Sequence, residues 1–533
     1  MNRRTFIELS AILAGVSPFI RACQSPKKII SGSIIGASSK RGHLLRTNEP
    51  FEISSTEQKK MVIVGGGVSG LSAARYLHLQ QENDFILLEL EDHPGGNAAS
   101  GKNEVSAFPW GAHYIPIPNN DLTEYLDFLQ QIGVIVDFDK EGLPVFNEQY
   151  LCQDPQERLY INGRWQDGLI PQFGVPDKEL KQIQHFLQVM DAYRDKKGND
   201  NLFAFAIPVN QSSKDPEYVA LDGITMKQWM DSNQFTSTYL QQYVNYCCRD
   251  DFGTRFDQIS AWAGIHYFAG RKGKANNAEH SDVLTWPDGN GFLVNHLKKD
   301  VNQHIKTACL VRKITYTNTE VWVDYLNTVT NAHHRIVASQ CIICVPQFIA
   351  ARLLSDTDRL NQVTEKFHYA PWMVANFAVK GLEERSGAPL SWDNVLQNGQ
   401  SLGYVEANHQ VLTSQAPVRN LTYYLPLTES SAKEDRKNAQ LKSHADWVEL
   451  VLKELEVVHP NIRTAIDKMD IVLWGHAMAQ PLPGMIHGES RRKLSESIGT
   501  NLHFAHTDLA GISIFEEAFY QGINAAKKTL KKL

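Results

Sequence analysis

The amino-acid sequence predicts an α/β protein in which a parallel-sheet, nucleotide-binding domain carries an inserted domain, mainly helical with a β-sheet of its own. Three observations lead there. The stretch Lys60 to Gly101 reads KMVIVGGGVSGLSAARYLHLQQENDFILLELEDHPGGNAASG, which gives strand, tight turn, helix and second strand in that order. Segments between Asn119 and about Thr285 place apolar residues at three- and four-residue steps, the helical period. Later runs such as YAPWMVANFAVKG and RNLTYYLPL alternate with the period of a strand.

Within the first stretch, Lys60 to Val64 is an apolar run of strand length, Gly65 to Gly70 supplies G-x-G-x-x-G, and Leu71 to Leu79 is rich in helix formers. Gly65 permits a turn that a Cβ would obstruct, Gly67 lets the backbone approach a pyrophosphate, and Gly70 brings the helix against the strand. Val68 and Ser69 open the helix, so their amides face the phosphates together with the positive end of the helix dipole. Phe85 to Leu88 forms the second strand. It ends on Glu89, about twenty residues on, the range at which an acidic side chain meets a nucleotide ribose. A merely glycine-rich turn would lack the strand, the helix and the distal carboxylate. The unit is Rossmann-like.

At 533 residues the chain exceeds one ordinary core, and length alone suggests about three or four domains. A net charge of −6 argues against a nucleic-acid partner, which would need a basic surface. The N-terminus, MNRRTFIELSAILAGVSPFIRAC, pairs Arg3 with Arg4 before a modest apolar region containing Gly15, Ser17 and Pro18. Residues 1–23 therefore resemble a twin-arginine export signal. That resemblance implies an export machinery as partner, transport of an already folded protein, and a periplasmic location. Cys23 resembles the lipidated cysteine of a lipoprotein, with Arg21 departing from the small residue expected there, and is a candidate membrane anchor. No other run reaches the roughly twenty apolar residues of a membrane span. Residues 24–58, rich in Ser, Gly and Lys without a clear period, read as a tether. Cys152, Cys247, Cys248, Cys309, Cys341 and Cys344 match no zinc spacing and read as mostly buried thiols. A disulfide among them stays open in an exported protein.

Past Glu89 the chain reads DHPGGNAASG, and with Gly95 and Gly96 it resembles the flavin-containing amine oxidase superfamily, which includes protoporphyrinogen oxidases and phytoene desaturases. In that superfamily the glycine pair is followed by an arginine beside the cofactor phosphates. Here Asn97 stands in its place, a hydrogen-bond donor without charge. FPWGAHYIPIP supplies Gly111 and Ala112 at the pair that flanks the flavin ring. TACLVRKITYTNTEVWVDYL places Val311 where a valine backbone meets the adenine, and HRIVASQCIICVP returns to the sheet through Val345 and Pro346. The closing segment, NLHFAHTDLAGISIFEEAFYQGINAAKKTL, matches at Phe504 and Ala505, while His506 and Thr507 intrude. Asp508 takes the role of the acidic residue near the cofactor chain, Glu517 and Ala518 fall where Gly-Ala begins the last helix, and Gly522 matches its later glycine. The resemblance implies FAD.

It also implies a divided architecture, with an FAD-binding domain from 59–118, 286–346 and 471–533 and a substrate domain from 119–285 and 347–470. Amine and polyamine oxidases often carry a lysine near the start of the strand that here reads APWMVANF, and none stands there. A second G-x-G-x-x-G is missing, which disfavours a pyridine-nucleotide reductase. No cysteine follows Cys344, so the flavin is expected to be non-covalent. His113, Trp474 and His476 are the catalytic candidates, with His506 beside them. A neutral histidine could act as base or orient a polar substrate, and each has the ordinary alternative of a hydrogen-bonded core residue. No compact ligand motif surrounds them and no metal is assigned.

The expectation is an FAD-dependent oxidoreductase that oxidises a small, amine-like organic substrate by hydride transfer to flavin. The alternatives are a desaturase or isomerase of a polyene or cyclic lipid, and a flavoprotein of the cell envelope without turnover. A long apolar tunnel would favour the lipid; a short polar pocket with an acidic wall would favour the amine.

Overall fold

The computed structural model describes residues 28–47, 50–411 and 417–532 and builds them around two sheets. The first has six strands in the order Ile305–Lys306, Phe85–Leu88, Ile53–Val64, Ala332–Ile343, Val321–Asn327 and Cys309–Tyr316, with Leu502–Phe504 added as a seventh beside Ala332–Ile343. Its central strands run parallel and are buried on both faces, which is why FILL and MVIV read as unbroken apolar runs. The helix Val68–Leu79 buries Leu71, Ala73, Ala74 and Leu77 in this core. The last helix, Phe515–Leu530, packs against it at Gly522, where a Cβ would stand 2.0 Å from the Ser69 carbonyl oxygen.

The second sheet has eight strands in the order Ile34–Ile35, Ile466–Ala479, Tyr369–Lys380, Val418–Pro426, Tyr404–Glu406, Asp393–Leu396, Glu157–Ile161 and Arg164–Asp167. Beside it, helices Asp177–Arg194, Met226–Ser232, Thr238–Phe252 and Ala261–Ala269 enclose a core that includes Phe186, Phe205, Trp229 and Trp262. Two of these helices come from one helical-period stretch, divided by its caps. Thr225 and Gln228 form a capping box at the first, and Ser237 accepts from the Leu240 amide at the second. Gly253 closes the second helix in the left-handed conformation, φ 56°, and so fixes its last turn, which carries Asp250 and Asp251.

Several expected boundaries move. The tether expected over 24–58 is ordered where it is described: Ile34 and Ile35 pair with Ile471 and Val472, Ser39–His43 is helical, and the first nucleotide-domain strand already begins at Ile53. The physical reason is an open sheet edge, since Ile466–Ala479 would otherwise leave that row of backbone groups unpaired. Ile466–Ala479 itself belongs to the second sheet, so the FAD-binding part does not resume at 471. Helix Thr123–Gln131, expected in the substrate domain, packs Tyr125 and Phe128 on Phe519 in the nucleotide-domain core. Helices Gln347–Leu353 and Thr357–Lys366 join that domain's other face through Ala350, Leu353 and Val363. The six cysteines from Cys152 to Cys344 are buried and unpaired. Arg3, Arg4 and Cys23 lie outside the described residues, among which no helix is long and apolar enough to cross a membrane.

Candidate active site

Two glycine turns form a groove at the ends of the parallel strands. Gly65 turns with φ 104° and donates its N–H to the Leu88 carbonyl at 2.9 Å. The Gly66 N–H donates to Glu89 Oε2 at 2.6 Å and the Glu91 N–H to Glu89 Oε1 at 2.8 Å. Gly95 donates to the Gly66 carbonyl at 2.8 Å, which ties the second turn to the first. A Cβ on Gly70 would stand 1.9 Å from the Gly65 oxygen, whereas one on Gly67 would meet nothing within 4 Å. Gly67 N-caps the helix Val68–Leu79 with no side-chain cap and no acid in the first turn. The result is an open cradle under helix-terminal amides, which fits a pyrophosphate. Beside it, burial outweighs the two amide hydrogen bonds and raises the Glu89 carboxyl to about 7. The backbone of Glu89 also meets the strand that carries Val311, through the Cys309 N–H at 2.8 Å.

Asn97, Gly111 and Ala112 continue the groove into a cavity of about 160 Å³. A side chain at Gly111 is excluded, because its Cβ would lie 2.4 Å from the Asn97 oxygen. Trp474 Nε1 donates to the Trp110 carbonyl at 2.7 Å and the Tyr424 O–H to the Gly111 carbonyl at 3.1 Å, which fixes this wall. His113 stacks on Tyr424 with ring centroids 4.5 Å apart and planes at 26°. Tyr114, Tyr246 and Trp372 add further aromatic surface. Asn290 and Trp372 also line it, and Asn290 Oδ1 and Trp372 Nε1 are buried with no hydrogen-bond partner among the described residues.

Another part of the wall is acidic. Asp250 and Asp393 line it; the Tyr114 O–H donates to Asp250 Oδ2 and the Tyr246 O–H to Asp393 Oδ2, each at 3.4 Å. Glu157 is the register partner of Asp393 on the neighbouring strand. Arg271, the one cationic side chain among the described lining residues, is paired with Asp251 at 2.7 Å. Burial, and then the nearby Asp251, raises the Asp250 carboxyl to about 7. Burial with Asp167 takes Glu157 to about 7. Burial, then Glu157 and Asp250, pushes Asp393 well above the usual carboxylate range. His113 goes the other way, lowered by burial to about 4, so its ring is neutral near pH 7.

The sequence-derived residues divide accordingly. Gly65, Gly67, Val68, Ser69, Gly70, Glu89, Gly95 and Gly96 meet at the groove, and Asn97, Gly111, Ala112, His113 and Trp474 at the cavity. His476 does not line the cavity; it lies at the surface, packs on Phe348 with centroids 4.5 Å apart and on Tyr369, and partial desolvation of its ring with the nearby cations Arg436, Arg46 and His43 lowers it below the usual histidine range. Asp508 is fully buried, accepting from the Gln347 N–H at 2.8 Å and the Tyr369 O–H at 2.7 Å, with His506 3.0 Å away. Glu517 also points inward, onto the Val209 N–H at 2.5 Å. These three side chains hold protein to protein. Ser513 to Glu516, just ahead of Glu517 and Ala518, line the cavity instead.

Sequence reasoning missed Asp250, Asp393, Tyr246, Trp372 and Tyr424. A signal existed for one of the acids. Asp250 and Asp251 sit in the last turn of a helix, where the dipole disfavours negative charge, and a broken local rule of this kind marks functional sites; Asp393 opens the short strand DNVL and carries no such signal. Among the described residues no group of His, Cys, Asp or Glu is arranged to hold a metal.

A family model described as an NAD(P)-binding Rossmann-like domain matches residues 63–131. Flavin-containing amine oxidase B of Sus scrofa is 23% identical over 303 residues, covering 55% of this chain and 51% of that one, so the chain spans about half the length of this curated relative. A putrescine oxidase double mutant superposes with a TM-score of 0.65 at 14% identity, covering 89% of this chain and 100% of that one. A fatty acid isomerase from P. acnes does so with a TM-score of 0.59 at 16% identity, covering 87% of this chain and 97% of its own. The chain therefore has the fold of the flavin amine oxidases, a fold that also serves a fatty acid isomerase, and its substrate has to be argued from its own cavity.

Proposed function

We propose that this chain is an FAD-dependent oxidoreductase that oxidises a small amine, taken up as its ammonium. The observation that carries this reading is the cavity itself: Gly111 and Ala112 in one wall, Asp250 and Asp393 in another, and aromatic rings between. Carboxylates kept partly protonated by burial ionise readily when a cation arrives to pair with them. A lipid chain would have to lie against the same acids without satisfying them, which argues against the polyene reading.

Gly65, Gly67 and Gly70 would hold the pyrophosphate of FAD over the Val68 and Ser69 amides, with Glu89 at a ribose, Val311 towards the adenine, and Asn97, Gly111 and Ala112 beside the ring. Bound flavin supplies the hydride acceptor. Tyr424, His113 and Trp372 exclude water and confine the substrate's carbon. Asp250 Oδ2, under the Tyr114 O–H and titrating near 7, is matched to take the ammonium proton, which frees the nitrogen lone pair before carbon gives up its hydride. His113 stays neutral and adds no competing charge. The sequence adds export through the twin-arginine route and a candidate lipid anchor at Cys23.

The test is anaerobic mixing of the holoprotein with amines, amino acids and unsaturated fatty acids while flavin absorbance is followed. Bleaching by at least one cationic amine is expected. Bleaching by fatty acids alone, or by nothing in the panel, would overturn the reading.

A further inference from the structure

The phosphate groove is short of positive charge. Its two turns, residues 65–70 and 89–98, contain no lysine or arginine and carry Glu89, Glu91 and Asp92. Asn97 commits its Nδ2 to the Ala477 carbonyl. A helix N-terminus contributes only about half a charge against a doubly charged pyrophosphate. Cations lie instead on the segment ahead of the first nucleotide-domain strand, where residues 38–46 read SSKRGHLLR.

That segment is seated firmly. Gly32 and Gly36, with φ 136° and 100°, approach the second sheet so closely that a Cβ would stand 1.9 Å from the Met469 oxygen and 2.7 Å from Val472 Cγ1. Leu45 packs on the nucleotide domain with Val345 and Phe348, and the Thr47 carbonyl accepts from Arg312 at 3.1 Å. Between these anchors the Ser38 N–H donates to Glu91 Oε1 at 2.8 Å, and Arg41 Nη1 lies 3.8 Å from Glu91 Oε2. The Glu91 N–H in turn holds Glu89, and Glu89 holds the Gly66 amide, so bonded contacts run from the segment to the phosphate turn. At the far end Arg46 and His43 act electrostatically on His476, the neighbour of the Ala477 that Asn97 grips. The Arg46 guanidinium makes no hydrogen bond or ion pair to any described residue, at the end of the short turn Leu44–Arg46.

We infer that residues 38–46 form a strap across the nucleotide groove, and that Arg41 and Arg46 supply to a bound nucleoside diphosphate the positive charge that the groove lacks. This rests on the FAD reading only in requiring that a nucleotide diphosphate occupy the groove. The strap thereby performs the task for which the related family uses an arginine at the position of Asn97.

Calorimetry on the flavin-stripped full chain with FAD, ADP and adenosine tests it, comparing wild type with Arg41→Ala/Arg46→Ala and with Arg41→Lys/Arg46→Lys. The alanine pair should lose at least about tenfold in affinity for FAD and ADP, the loss of a charge-assisted contact, with adenosine unaffected and the dependence on salt flattened. The lysine pair should recover most of the loss. Unchanged ADP affinity would overturn the strap, and so would an equal loss for adenosine, which would mark a purely structural role. If the double variant does not fold, Arg46→Ala alone, whose side chain has no partner to lose, carries the same comparison. A wild-type chain that binds neither FAD nor ADP would defeat the nucleotide reading itself, whereas tight wild-type binding with unaffected variants defeats only the strap.

Discussion

Replacing Asp250 with asparagine should stabilise the substrate-free holoprotein at high pH while weakening its grip on a cation. Burial, and then Asp251, raises the Asp250 carboxyl from its ordinary 3.8 to about 7. The native state therefore keeps a proton that the unfolded chain releases. Stability from this group is fully present below the ordinary value, falls as pH climbs towards 7, and levels off above. For a shift of that size the penalty grows by about 2.5 kcal/mol between pH 5 and pH 8. Asparagine does not titrate and escapes it, while Asp393 and Glu157 remain in both proteins. Urea denaturation at the two pH values, with FAD saturating, gives the comparison. The variant's stability relative to wild type should rise by about 2.5 kcal/mol from pH 5 to pH 8. Its affinity for a cationic amine should drop roughly tenfold to a hundredfold, the cost of losing a charged hydrogen-bond partner. A variant equally destabilised at both pH values would refute the reasoning, because it would mean that Asp250 is already ionised and paired in the resting protein.

Other expectations follow from the groove and the termini. Gly67→Ala should leave the melting of the flavin-free protein unchanged, since its Cβ meets nothing within 4 Å, yet impair FAD binding; Gly70→Ala, with its Cβ 1.9 Å from the Gly65 oxygen, should lower the yield of folded protein. Thermal melts combined with FAD titration separate the two effects. Acid precipitation should leave the flavin in the supernatant, and flavin retained on the precipitated chain would contradict non-covalent binding. Lysine at both Arg3 and Arg4 should retain the folded, flavin-loaded protein in the cytoplasm, as read by cell fractionation, and unchanged export would remove the twin-arginine assignment.

What the sequence revealed and what it hid have separate physical causes. The nucleotide groove is local: strand, turn, helix and Glu89 fall within a few dozen residues, and each glycine answers to a contact that a Cβ would break or fill. Period alone located helices such as Asp177–Arg194 and Thr238–Phe252 and the strands Tyr369–Lys380 and Val418–Pro426. It could not say which sheet a strand joins, because that is settled by partners hundreds of residues away, as when Ile34 and Ile35 pair with Ile471 and Val472. The cavity lined by Asp250 and Asp393 is non-local in the same sense. Asp250 ends a helix, Asp393 lies on a strand, and Tyr424 comes from a third element, so their meeting has no spacing to read. His476, Asp508 and Glu517 show the converse: sequence position near a family motif did not fix which way the side chain turns. The N-terminal segment looked featureless because its order comes from the sheet edge it covers, with little from its own composition.

The claim that an acidic cavity selects an amine is tested most directly by anaerobic stopped-flow reduction of wild type and Asp393→Asn, each mixed with a reducing amine and with an uncharged isostere of it. Flavin reduction in wild type should favour the amine strongly, and the asparagine variant should lose most of that preference through a weaker apparent affinity, on the order of tenfold or more for an interaction between close buried charges. Equal reduction of wild type by the amine and the neutral isostere, or an undiminished preference in Asp393→Asn, would contradict it.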